Sequence, residues 1–226
     1  MPNIIMCDQP SGGVDYLNLL LDNQLTSYEI KSEKVKDYAF YDASALTSVE
    51  FPGTLQSVGT NAFYGTAITS LHIYEVGTIG QYSAKLSSIK TIVIEKLTGN
   101  SPLAASAFRD MSELEKLDIG YAKRFGDGSG ILVNSSNFTT IILRNTSVVP
   151  LGYVNVFNNS VFASGGTGGT IYIPKSLYDH LGDGTSNDYK AATNWSTVDG
   201  YGTITWAKIE GSAYDGYWAD GTPITA

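Results

Sequence analysis

The sequence predicts a mostly β solenoid with short helices and capped ends. Two observations carry this reading: a phrase with large apolar residues at its first, fourth and sixth positions returns six times, and a turn-rich stretch with its own apolar anchors follows it. The copies are Leu25–Ile30 (LTSYEI), Leu46–Phe51 (LTSVEF), Ile68–Ile73 (ITSLHI), Ile89–Ile94 (IKTIVI), Leu114–Ile119 (LEKLDI) and Phe138–Leu143 (FTTIIL), with starts 21 to 25 residues apart. A period in this range marks stacked units, each too small to bury its apolar face except against its neighbours.

From the front, Asp8 to Gly13 reads as a flexible arm rich in turn residues. Val14, Leu17, Leu20 and Leu21 then fall at helical spacing, which suits an amphipathic cap over the first coil, with an oligomer contact as the alternative. Within each phrase the fourth and sixth residues flank one outward residue, the alternation of a short half-buried strand. After Phe51, Pro52-Gly53 turns the chain, Leu55 anchors it, Gly59 permits a tight return, and Ala62 leaves room beside Phe63. The first unit repeats this with Val35 and Ala39-Phe40, and the fourth with Leu103 and Ala107-Phe108. The third offers Ile79 and Tyr82 without Ala-Phe, and the fifth runs through the glycine-rich stretch from Gly126 to Gly130.

Past the last phrase, Thr203, Thr205 and Ala207 alternate with Ile204, Trp206 and Lys208, which predicts a strand. Tyr214, Tyr217 and Trp218 follow in a stretch too short for a core of its own, so with Tyr201 and Trp206 they either pack back on the last coil or meet another chain. The chain thus divides into an arm and cap (1–24), a solenoid (25–170), a closing segment (171–198) and an aromatic β tail (199–226).

Leu46 to Gly65 resembles the repeat of the BspA-like leucine-rich repeat family, roughly Leu-x-x-Ile-x-Ile-Pro, an apolar anchor, Ile-Gly and Ala-Phe-x-Gly. Gly169 to Pro174 and Asp188 to Ser196 are similar to that family's closing segment of a strand, a short helix and a Trp. The resemblance covers roughly residues 25–198. It implies a right-handed leucine-rich repeat solenoid with a parallel sheet on one face, and binding or structural work without enzymatic activity.

The composition excludes several function classes. With 14 Lys plus Arg against 22 Asp plus Glu, the net charge of -8 repels a phosphate backbone, so nucleic acid is not expected. The lone Cys7 rules out an intrachain disulfide and a cysteine-built zinc site. No apolar run reaches the roughly 20 residues of a membrane span, and the start at Met1 shows no basic region ahead of a long apolar stretch, so no secretion signal is expected.

Chemistry-bearing residues are few. His72 and His180 are the only histidines, and neither has a cysteine near it in a nucleophile motif. No catalytic residue, metal or cofactor is therefore expected. Asp127, Asp183, Asn187 and Asp188 lack the spacing and terminal Glu of a calcium loop and read as turn formers. The Asn-x-Ser/Thr triplets at Asn134, Asn137, Asn145, Asn158 and Asn194 are common by composition and do not establish glycosylation.

The fifth position of each phrase points out of the strand and holds Glu29, Glu50, His72, Val93, Asp118 and Ile142. As an exposed column this is the expected partner-binding surface, and Tyr201, Trp206, Tyr214, Tyr217 and Trp218 are the expected assembly aromatics. The family resemblance, a start without a secretion signal, and flexible or aromatic ends suited to joining other chains favour a bacteriophage or prophage virion component, a head decoration or tail or baseplate protein, joined to other virion proteins or sister subunits as a homo-oligomer. The alternative is a bacterial cell-surface adhesin module binding a host protein or glycan. A weaker third reading makes the tail aromatics stacking platforms for carbohydrate.

Overall fold

The computed structural model describes residues 25–126, 130–152, 168–193, 195 and 204–209. Every phrase begins or contains a strand: β1 (Ser27–Glu29), β3 (Ser48–Glu50), β5 (Ser70–Ile79), β6 (Thr91–Leu97), β7 (Lys116–Ala122) and β8 (Thr140–Leu143). Two further strands, β2 (Lys34–Val35) and β4 (Leu55–Val58), belong to the first two coils, and β9 (Gly169–Ile173) and β10 (Ile204–Lys208) follow the last phrase. All described pairings are parallel. Eight strands form one sheet in the order β10-β9-β8-β7-β6-β5-β4-β2, and β1 pairs with β3 in a second, two-stranded sheet.

The split into two sheets follows from the sequence after the phrase. In the second coil Pro52 has no N–H for a ladder and ends β3, so the strand resumes only at Leu55 as β4. In the third coil Tyr74-Glu75 takes that place, and β5 runs unbroken for 10 residues. Its first half continues into β6 and its second half also meets β4, at Leu55↔Val76 and Val58↔Ile79.

Inside, the apolar positions of the phrase stack into columns. Leu46, Ile68, Ile89, Leu114 and Phe138 are fully buried, as are Ile92, Leu117, Ile141 and Ile171 one column over. Each such aliphatic side chain contributes about 1.5–3 kcal/mol on burial. At the front, Leu25, Tyr28, Val49 and Phe51 are only partly buried.

The returns form a second ladder. Left-handed backbone occurs in pairs four residues apart, at Tyr38 and Asp42, Asn61 and Gly65, Tyr82 and Leu86, Ser106 and Asp110, and Gly130 and Asn134. Between them the backbone N–H groups of one return donate to carbonyls of the next, as Phe40 N does to Ala62 O and Phe63 N to Ser83 O at 2.7 Å each. This register shows that the third coil keeps the pattern with Ser83-Ala84 where other coils have Ala-Phe. The fifth return lies at Gly130–Asn134, with Ile131 and Leu132 buried as the inward pair. Phe40 and Phe63 stack at 5.4 Å and 4°, and Ala84 ends that stack in the next coil.

The closing segment differs from expectation in where its helix falls. The short helix α1 (Lys175–Tyr178) starts directly after Pro174, whose fixed φ of -53° suits the residue ahead of a first turn, whereas Asp188 to Thr193 forms turns. Tyr189 and Trp195 are fully buried with rings 5.2 Å apart and nearly perpendicular, and Trp206 of β10 packs 5.9 Å from Trp195. The expected arm and cap, with Cys7, Val14, Leu17, Leu20 and Leu21, lies outside the described residues.

Candidate functional site

Alternation along a strand turns every second side chain outward, and parallel register stacks those side chains into columns. One column runs His72, Val93, Asp118, Ile142, Tyr172 and Ala207 across β5 to β10. Glu29 and Glu50, both exposed, pair with each other in the two-stranded sheet. The expected single column is therefore divided after Glu50, at the break that Pro52 makes.

A second correction concerns Asp118, which is only 2% exposed. Arg144 follows β8 directly, and its Nε donates to Asp118 Oδ1 at 2.8 Å. Arg144 Nη2 lies 2.7 Å from Glu95 Oε2, and Glu95 Oε1 lies 2.8 Å from His72 Nε2. The flanking registers set Glu95, Gly120 and Arg144 side by side on β6, β7 and just past β8. Gly120 carries no side chain, so the guanidinium crosses its position to reach the carboxylate beyond. Arg144 is wholly buried and Glu95 nearly so, while the His72 side chain is 45% exposed with its ring 4.7 Å from that of Tyr74. Burial pushes the Asp118 carboxyl above its usual range, against the charge and hydrogen bond of Arg144. Of these four linked groups only His72 opens to solvent, which makes the cluster a lock on the sheet face.

Beyond the lock the same column enters a groove. Ile142, Tyr172 and Ala207 line it from the sheet, Tyr178 from α1 and Lys208 from β10, around a volume of about 540 Å³. Of the predicted residues, Ile142 and Trp206 line this groove; Val93 is half-buried between His72 and Asp118, within the lock. Tyr172 and Ala207 escaped the sequence reading because they sit on strands after the last phrase. The signal was present as the alternation of GTIYI at Gly169–Ile173.

Trp206 packs against Tyr189 and Trp195, where it closes the last coil, and it also lines the groove. Tyr201, Tyr214, Tyr217 and Trp218 lie outside the described residues. The acidic turn is held by its own backbone: Asp183 Oδ1 accepts from Thr185 N at 2.8 Å, Asp188 Oδ1 from Lys190 N at 2.8 Å, and Asn187 N donates to Thr185 Oγ1 at 3.3 Å. His180 Nδ1 lies 2.6 Å from Asp183 Oδ2. Asp127 lies outside the described residues, as do Asn158 and Asn194. Asn145 is buried with its amide donating to Ala122 O at 3.1 Å, a place closed to a glycan.

Among known protein families, the model of the BspA type leucine-rich repeat region matches residues 20–139 in six copies. No curated protein matches the chain.

Proposed function

From the premise that the chain belongs to the BspA type leucine-rich repeat family, generally one of non-enzymatic repeat domains that bind other proteins, we propose that it is a virion component of a bacteriophage or prophage whose sheet face docks a partner protein. The observation that carries the docking is the groove lined by Ile142, Tyr172, Tyr178, Ala207 and Lys208. Tyrosine and aliphatic side chains around a concave floor, with one cation beside them, form the composition that concentrates binding energy at protein interfaces. The Arg144 lock holds the neighbouring strands and supplies a rigid base for it.

In this reading the repeat stack acts as a spacer, as a head decoration or a tail or baseplate part, and the groove meets another virion protein or a sister subunit. Immunogold labelling and cosedimentation of particles from an induced culture test it. The chain is expected on the particles, and Ile142→Asp, which places a carboxylate on the groove floor, is expected to abolish cosedimentation of added chain while leaving its fold intact. Label on the cell envelope with bare particles would instead establish the adhesin reading.

A further inference from the structure

The returns carry a second surface, remote in role from the sheet face. Gly65, Asn134, Asp42 and Asp110 suit the left-handed backbone at the second position of each return. Leu86 does not: it adopts φ 55 with no glycine-like freedom, and its side chain is 56% exposed. Tyr38 repeats the pattern at the first position, with φ 59 and 55% exposure. The ladder holds that backbone in every return, so what sets these two apart is exposure: Tyr38, Tyr41 and Leu86 are three of the four exposed large apolar side chains among the described residues, and all three lie on the returns. A cluster of exposed large apolar side chains points to a contact outside the monomer.

The chemistry around them says what that contact is. The fourth position of successive returns reads Tyr41, Tyr64, Lys85 and Arg109. At one end Tyr41 stacks on Tyr64 at 4.6 Å and 11°, with Tyr38 5.7 Å from Tyr41, and the Asp42 charge acts on Tyr41. At the other end Lys85 and Arg109 share a single carboxylate, Asp110, at 2.8 and 3.6 Å, which leaves that end with a surplus cation. Lys85 already rests 5.3 Å above the ring of its neighbour Tyr82. Turned through 180°, the column is its own complement, rings facing cations and the acidic end facing the basic one.

We infer that this return face is an isologous interface between two copies of the chain, packed antiparallel with Tyr41 and Tyr64 of one copy against Arg109 and Lys85 of the other, and with Leu86 near the axis. The net charge of -8 on each copy opposes association elsewhere and confines it to a face with this local complementarity. The inference uses no residue of the sheet groove and stands or falls apart from it.

Sedimentation equilibrium of the full chain over a concentration series tests it. The unmodified chain is expected to reach twice the monomer mass. Leu86→Asn relaxes the backbone and removes the apolar contact, and Arg109→Glu sets a carboxylate against the tyrosine end; each is expected to weaken the dimer at least about tenfold with the melting transition retained. The double variant Tyr41→Arg/Arg109→Tyr exchanges the two ends and is expected to restore association. A monomer at every concentration, or a dimer insensitive to both single changes, overturns the inference. So does a dimer lost only on Ile142→Asp, which would place self-association on the sheet face.

Discussion

Arg144 Nη2 lies 2.7 Å from Glu95 Oε2, although a strand separates the two residues and both are buried in what alternation alone assigns to the open face of the sheet. The guanidinium also holds Asp118, so one cation serves two buried carboxylates. Nη1, Nη2 and Glu95 Oε2 have no hydrogen-bond partner among the described residues, so the Arg144–Glu95 contact is a close ion pair and only Nε makes a hydrogen bond. Removing the cation leaves Asp118 without its guanidinium and Glu95 with His72 alone. Arg144→Met is therefore expected to destabilise the chain by about 3–5 kcal/mol, read as a lower denaturant midpoint at an unchanged slope. A much smaller loss would mean that the two carboxylates find water or protons once the cation is gone.

The lock was legible in part. The residue after each phrase is Lys31, Pro52, Tyr74, Glu95, Gly120 and Arg144 in turn. Opposite charges two units apart with a glycine between them are a readable sign, but parity along a single strand cannot show a link that skips a strand. The six phrases, by contrast, located the strand of every coil they open, because inward residues at fixed positions are required by stacking itself. Ala84 hid the third return, since the Ala-Phe pair was sought as residue types while the backbone repeats as left-handed pairs. Tyr172 stayed hidden because its strand carries the alternation without the phrase.

Asp188 gives the chain an acid-sensitive turn. Burial pushes its carboxyl up, but backbone N–H groups at Gly182, Gly184, Lys190 and Ala191 outweigh this and hold it below the usual range. A carboxyl lowered in the folded state contributes stability that is present above its unfolded value of about 3.9 and is lost as pH falls through the folded one. Asp188→Ala is expected to cost about 1–3 kcal/mol at neutral pH, and the gap from the unmodified chain should close below about pH 4. Thermal melts of the two proteins across that range check it; a gap independent of pH would assign the loss to packing.

Asp118 has the opposite sign. Its carboxyl is raised by burial, so protonation favours the folded state and its contribution grows as pH falls through the raised value towards the unfolded one of about 3.9. In Asp118→Asn the buried charge is gone while the acceptor oxygen for Arg144 Nε remains. The variant is expected to lose the gain in stability between neutral pH and about pH 4 that the unmodified chain draws from this group. Parallel stability curves above that point would overturn the assignment.

Coil spacing leaves no room for side chains at Gly77, on β5, and at Gly99, just past β6. A Cβ at Gly77 would stand 2.5 Å from Gln56 O, and one at Gly99 would press on Gly77 O, each in the preceding coil. Both obstacles are backbone carbonyls fixed by the ladder and cannot swing aside. Gly77→Ala and Gly99→Ala are each expected to cost about 1–3 kcal/mol from overpacking. Gly53 has the same residue type in a turn with nothing within 4 Å of its Cβ direction and without a left-handed backbone, so Gly53→Ala is expected to be neutral or to stabilise by about 0.4–1 kcal/mol through the unfolded chain. Equilibrium unfolding of the three variants separates the cases: equal costs at all three positions would show that chain entropy, and not the distance between coils, sets the requirement for glycine.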